Sequence, residues 1–228
     1  MKLHFTIESK NGASNIDVDI DNLVVAGWAG RDRASIEHHI EELAALGVPR
    51  PSAVPLFYRV SESLAFQGDH IQVVGAETSG EVETFVFTKD GKMYVSLASD
   101  HTDRKLEATG VALSKQICAK PIATTAWPFD EVADHWDSLI VRSFIVEGGQ
   151  QVTYQEGALS SLRKPAELIA GYTGGSSLLP EGTGMICGTV GAIGGIRPSR
   201  NLTLELFDPV LNRSIRHDYV TEVLPEVA

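Results

Sequence analysis

The sequence predicts a β-rich α+β fold, a mixed β-sheet roll or sandwich with helices at its edges. Three observations point there. Gly and Pro, 21 and 10 of 228 residues, punctuate the chain about once every seven residues, which suits short strands joined by turns. Several segments alternate polar and apolar residues at the strand period of two. The order of elements does not run strand, helix, strand, helix, so a doubly wound parallel sheet is not expected.

The elements follow in order. Leu3–Ile7 and Ile16–Ile20 alternate as strands, and Leu23–Gly27 is an apolar run that ends on glycine. Ile36–Leu46 has helical spacing, with Ser35 as the expected N-cap and Gly47 as the stop. Pro49, Pro51 and Pro55 make an extended passage. Ile71–Val74, Val82–Thr88 and Met93–Ala98 then give successive strands. Three helices are expected next, at Asp103–Ala108, Phe129–Val141 and Ser160–Ala170. The chain closes on strands at Gly184–Val190, Leu202–Phe207 and Ser214–Val223. A chain of this length folds as one domain by default, so residues 1–228 are taken as one unit with residues 1–22 as its N-terminal strands.

The sharpest chemistry sits at Glu81 and Glu83. On a strand these share one face about 7 Å apart, and Phe85 and Phe87 continue that face into the core. Two partly desolvated carboxylates side by side repel, and a hard divalent cation such as Mg²⁺ or Mn²⁺ resolves the conflict. A half-exposed strand with two glutamates on its outer face is the competing reading. The strand Met93–Ala98 runs into a polar turn at Ser99–Arg104. There Asp100 is a candidate third ligand, and Arg104, one helical turn on, a candidate for an anionic substrate. The competing reading is capping by Ser99 or Asp100, with Asp103 complementing the helix dipole.

On the helix Ile36–Leu46, Ile36, Ile40 and Leu43 form the apolar stripe. His39 lies on its border with Glu42 on the same flank, while His38 and Glu41 point toward solvent. If one pair is functional, geometry prefers His39 and Glu42. An exposed amphipathic helix with an ordinary charge pattern is the alternative. His101 is placed beside the ligand set rather than in it. Asp134–Asp137 is read as packing by Trp136 among solvated neighbours. Gly191–Gly195 lacks the Lys and Ser/Thr of a phosphate loop. No G-x-S-x-G elbow is present.

These motifs, in this order, resemble the fumarylacetoacetate hydrolase family. The family carries an E-x-E strand, matched by Glu81-x-Glu83, and an N-D-x-[ST]-A-R-D turn, matched by Ser99-Asp100-His101-Thr102-Asp103-Arg104. It also carries a lysine followed by Thr and Pro, matched by Lys120 to Pro128, and a proline-glycine turn with a Gly-Thr loop, matched by Leu179 to Val190. The likeness runs from about Val24 to the end. It departs upstream of the histidine, where the family's G-R-N-Y is replaced by Gly27–Asp32 at a greater distance. The resemblance implies the fold of the family's C-terminal catalytic domain and a homodimer. It implies that Glu81, Glu83 and Asp100 ligate Mg²⁺ or Mn²⁺, that Lys120 polarises a substrate oxygen, and that Arg104, Thr124 and Thr189 contact an oxo-acid. His39 and Glu42 match the family's H-x-x-E dyad, which activates water.

The implied activity is metal-dependent cleavage of a carbon–carbon bond in a small 2-oxo or 1,3-dicarbonyl acid, as in acylpyruvases. Decarboxylation, isomerisation, hydration or dehydration at the same metal-enolate site is the alternative, and a non-catalytic ligand-binding protein is the third. Composition sets the outer bounds. A net charge of −11, with no basic stripe, argues against nucleic acid. No apolar run reaches the roughly 18–20 residues of a membrane span, and Met1–Ser14 lacks the apolar stretch of a secretion signal, so a cytoplasmic location is expected. Two distant cysteines, Cys118 and Cys187, imply neither zinc nor disulfides.

Overall fold

A computed structural model describes residues 1–45 and 50–227. Within its first helix the side chains of Ser35, His39, Glu42, Leu43 and Ala45 also lie outside the described set. The chain begins with β1 (Lys2–Ser9), β2 (Gly12–Asp19), β3 (Asn22–Gly27), α1 (Arg33–Ala45), β4 (Leu56–Val60), β5 (Ala65–Phe66), β6 (His70–Val74) and β7 (Thr78–Ser79). It continues through β8 (Val82–Lys89), β9 (Lys92–Ser99), β10 (Thr102–Asp103), α2 (Arg104–Glu107), α3 (Val111–Gln116), β11 (Lys120–Pro121) and β12 (Thr125–Pro128). The last third holds β13 (Ile140–Glu147), β14 (Gln150–Ala158), α4 (Pro165–Thr173), β15 (Thr183–Ile186), β16 (Asn201–Asp208) and β17 (Arg213–Leu224). No helix among the described residues is long and apolar enough to cross a membrane.

Two sheets dominate. One has eight strands in the order β2-β1-β12-β9-β8-β15-β3-β4, and the other five in the order β14-β13-β16-β17-β6. Both are mixed: β1–β12, β15–β3 and β17–β6 pair in parallel, and the remaining neighbours are antiparallel. Strand β8 sits inside the larger sheet and is buried from Val82 to Thr88. Its period of two sends Val82 and Val86 into the core shared with the five-stranded sheet, where they meet Leu204, Ile215 and Tyr219. The alternate residues Phe85 and Phe87 enter a second core with Phe5 and Ile20, and Phe5 stacks on Phe87 at 4.4 Å. A strand that fills two cores at once is held in register by both, since a one-residue slip would exchange its faces.

The expected strands are all present, although the last but two is shorter, ending at Ile186. The helices differ more. Helix α1 starts at Arg33, and Asp32 rather than Ser35 supplies the cap, accepting the Ala34 N–H at 3.0 Å. Its expected end at Leu46 and stop at Gly47 lie outside the described residues. Phe129–Val141 is no helix: two short 3-10 turns, Phe129–Glu131 and Ala133–Ser138, lead into β13. The reason is Gly148–Gly149, both at positive φ, which close a two-residue hairpin and pull the β-branched run Ile140–Val146 into the sheet. Helix α4 starts only at Pro165, which favours the first helical turn and disfavours helix in the residue before it.

Asp208 ends β16 and builds the next turn. Its Oδ1 accepts the N–H groups of Val210 at 3.0 Å and Leu211 at 3.1 Å, and lies 3.0 Å from His135 Nε2. Burial would raise its pKa, but these donors hold the carboxyl below its ordinary value. A depressed folded pKa contributes stability above the unfolded value and loses it as the pH falls. Asp208→Ala is therefore expected to cost about 2 kcal/mol at pH 7. In urea unfolding the gap to the wild type should narrow once the pH drops below 3.8.

Candidate active site

Hairpin β8–β9 assembles the acidic site. Its register sets Val82 opposite Ser99 and Glu83 opposite Ala98. Asp100, one residue beyond β9, therefore falls across from Glu81, and its N–H donates to the Glu81 carbonyl at 3.0 Å. Glu81 and Glu83 share a face because they are two residues apart. One carboxylate oxygen from each of Glu81, Glu83 and Asp100 lies within 4.8 Å of the others. Asp100 does not cap the helix that follows. Asp103 does, accepting the Leu106 N–H at 2.8 Å, so the Asp100 carboxylate serves the cluster.

Three basic side chains meet these carboxylates. Arg104 Nη2 lies 3.1 Å from Glu81, Nη1 donates to Glu107 at 2.9 Å and Nε to Ser79 at 2.7 Å. It therefore orients Glu81 and also lines the cavity described below. Lys115 of α3 donates to Asp100 Oδ2, and Lys120 Nζ lies 3.0 Å from Asp100 Oδ1 while donating to the His101 carbonyl. Burial pushes the Asp100 pKa up, but the two ammonium groups override it and hold the carboxyl well below the usual range. The same attraction overrides the burial of Lys115 and raises its pKa. For Lys120 burial wins, with Lys115 adding to it, and the pKa is lowered.

Glu83 stands apart. It is 3% exposed, its carboxylate accepts the Gly188 N–H, and no ion pair reaches it among the described residues. Burial, with Asp100 and then Glu81 adding repulsion, pushes its pKa well above the ordinary value. Gly188 adopts φ +93°, and a Cβ there would come within 2.6 Å of Ala29. Only glycine therefore brings that N–H to the carboxylate. Oxygen-only donors with one uncompensated buried carboxylate suit a hard divalent cation such as Mg²⁺ or Mn²⁺.

The cluster forms the floor of a cavity of about 810 Å³. Trp28, Ile36, Tyr58, Tyr154 and Ile196 contribute to walls that are largely apolar. Trp28 has φ +59°, a conformation rare for an aromatic residue, and its indole N–H donates to the Tyr58 hydroxyl at 3.3 Å. Thr189 lines the cavity, but its hydroxyl donates to the Val82 carbonyl and accepts from Gln155, both at 2.8 Å. Buried Gln155 also holds the Val82 N–H and the Val190 carbonyl, fastening β14 to the start of β8.

Two residues expected to contact substrate lie off the cavity surface. Lys120 is fully buried beneath Asp100 and does not line the cavity. Thr124 is exposed and also absent from the walls. The chain leaves the site after Lys120, because Ile122 and Ala123 donate to the Phe66 and Leu97 carbonyls and carry Thr124 to the β1 edge. His38 is exposed, as expected, and also lines the cavity together with Ile36. The side chains of His39 and Glu42 lie outside the described residues. His101 stands beside the cluster, as expected. Its two ring nitrogens lie 2.9 Å from the Tyr219 hydroxyl and 3.0 Å from that of Thr78. Burial, then Lys120 and Arg104, push its pKa down to about 3. Burial pushes the Cys118 thiol up to about 11 and Cys187 higher still, so neither is a nucleophile.

Lys115 and Gln155 escape a reading of the sequence. A lysine on a helix and a glutamine on a strand carry no local signal, and only the tertiary fold buries them.

A model of the family described as "Protein of unknown function (DUF2848)" matches residues 26–219. The chain belongs to this family. No curated protein matches this chain. Solved structures match its fold. A yeast protein of the fumarylacetoacetate hydrolase family is 17% identical with a TM-score of 0.63, over 91% of this chain and 95% of its own. An Oleispira antarctica protein, provisionally named a fumarylacetoacetate isomerase/hydrolase, is 17% identical with a TM-score of 0.62, over 95% and 99%. A 2-keto-3-deoxy-D-arabinonate dehydratase complexed with magnesium and 2,5-dioxopentanoate is 16% identical with a TM-score of 0.61, over 91% and 75%. This DUF2848 chain has the fumarylacetoacetate hydrolase fold.

Proposed function

We propose that this protein is a divalent-metal-dependent enzyme that cleaves a carbon–carbon bond in a small 2-oxo or 1,3-dicarbonyl acid. The observation that carries the reading is the convergence of three carboxylates on the floor of a largely apolar cavity. Glu81, Glu83 and Asp100 would hold Mg²⁺ or Mn²⁺, which supplies Lewis acidity to the oxo-acid end of a substrate. Arg104 keeps Glu81 in place, and Lys120 fixes Asp100 from below. His39, oriented by Glu42, takes a proton from water for attack on the distal carbonyl. Helix α1, which carries both, borders the cavity through Ile36 and His38. We carry the homodimer and the cytoplasmic location forward as parts of the same proposal.

A second reading is decarboxylation, isomerisation or dehydration at the same metal site, since enolate stabilisation serves all of these reactions and the fold, shared with a dehydratase, does not decide among them. His39→Ala and Glu42→Ala separate the two: hydrolysis should collapse, while oxaloacetate decarboxylation should survive in part. The first test is a turnover screen against acylpyruvates, oxaloacetate and hydroxy acids, before and after chelation. Chelation should lower turnover by about 10³-fold or more, and Mg²⁺ or Mn²⁺ should restore it. The metal should also raise the unfolding free energy, by about 2.7 kcal/mol at a hundred times its Kd. Full activity in chelated Asp100→Ala protein would sink the proposal.

A further inference from the structure

The two oxygens of Asp100 are both covered by ammonium groups, Oδ1 by Lys120 at 3.0 Å and Oδ2 by Lys115. A divalent ion approaching Oδ2 would therefore compete with the Lys115 ammonium, both for that oxygen and through like-charge repulsion. Lys120 is not the group that moves. It is fully buried, it also donates to the His101 carbonyl, and β11 clamps its backbone against β5. Lys115 lies on the cavity wall, with its Nζ 5.8 Å from the centre of the Tyr58 ring. The Tyr58 hydroxyl accepts the Trp28 indole N–H at 3.3 Å, so the ammonium lies beside an aromatic ring that is tied in place.

Helix α3 is built around this lysine. Ser114 and Lys115 are buried, while Leu113 and Ile117 of the same short segment are 57% and 52% exposed. An ordinary surface helix buries its apolar residues and exposes its lysines. Here the pattern is inverted, and the outcome is a buried positive charge at the junction of the acidic floor and the cavity.

We infer that Lys115 is a tethered counter-cation for the metal site. It neutralises Asp100 while no divalent ion is bound. When Asp100 turns Oδ2 to the ion, the displaced ammonium faces the cavity and receives the carboxylate or enolate oxygen of the substrate. The inference rests on the metal-site reading above. It also answers how a chain of net charge −11 accepts an anionic substrate, since metal entry would add two positive charges to the floor.

The test uses Mn²⁺ alone, titrated calorimetrically into metal-stripped wild-type and Lys115→Met proteins. With the internal competitor removed, Lys115→Met should bind Mn²⁺ at least tenfold more tightly, and the Mn²⁺-loaded variant should bind oxalate at least tenfold more weakly. A second measurement needs no variant. Reductive methylation of the wild type, read by peptide mass spectrometry, should modify Lys115 only when Mn²⁺ is present and leave Lys120 untouched throughout. Wild type that binds Mn²⁺ beside a variant that binds it no more tightly, with Lys115 protected in both states, overturns this inference and leaves the metal site standing. Tighter Mn²⁺ with unchanged oxalate affinity overturns the hand-over to substrate. Failure of both proteins to bind Mn²⁺ overturns the inference together with the metal-site reading.

Discussion

Asp100→Ala is expected to cost metal-free protein about 3–5 kcal/mol of stability, in addition to removing metal binding and turnover. Asp100 is 1% exposed and is the shared counter-charge of two buried lysines, Lys115 at 7% and Lys120 at 0% side-chain exposure. Alanine leaves two largely buried ammonium groups with no carboxylate between them. Lys120 cannot reach solvent without breaking its bond to the His101 carbonyl and the β5–β11 pairing. Urea unfolding of the chelated protein measures the effect as a lower midpoint with little change in slope. The double variant Asp100→Asn/Lys115→Met should recover a substantial part of the loss, because removing both partners of a buried pair costs far less than removing one. An Asp100→Ala midpoint equal to that of the wild type would show that the lysines are balanced elsewhere.

The acidic triad was legible in the sequence because strand geometry is local. A spacing of two puts Glu81 and Glu83 on one face, and a tight hairpin then brings Asp100 opposite Glu81. The β-rich class was legible for the same reason. Lys120 and Thr124 show where local reasoning ends. The family resemblance implies a lysine that reaches the substrate, but where Lys120 comes to lie depends on how β11 pairs with β5. Thr124 is carried off by hydrogen bonds to partners some 30 and 60 residues away, Leu97 and Phe66. Phe129–Val141 has enough apolar spacing for a helix, and only the pairing of Ile140–Glu147 with both β14 and β16 decides for strand. Lys115 was hidden more deeply: hydropathy turns α3 the wrong way round, since the fold buries its lysine and exposes Leu113 and Ile117. Violations of that kind are expected where electrostatics at a site outweigh local packing.

Glu83→Gln is expected to separate function from stability in the opposite way to Asp100→Ala. Glu83 is nearly as buried as Asp100, yet its polar partner among the described residues is the Gly188 N–H, and the carboxylates of Asp100 and Glu81 are close by. A buried carboxylate without a cation is costly, so in metal-free protein this residue strains the fold that holds it. Glutamine keeps the shape, and its amide oxygen still accepts from Gly188. It removes the charge that burial and its neighbours oppose. The chelated variant should unfold at the wild-type urea midpoint or above it, by up to about 1 kcal/mol. With metal the order reverses. The variant lacks one anionic ligand, so its Mn²⁺ affinity should fall at least about 100-fold and its turnover about 10³-fold or more. The wild type should then gain stability on metal addition, while the variant gains little. One carboxylate neutralised by lysines holds the site together, and one left unneutralised gives it an appetite for a cation. If Glu83→Gln destabilises the chelated protein as much as Asp100→Ala does, Glu83 is a structural charge and the donor set loses its central member.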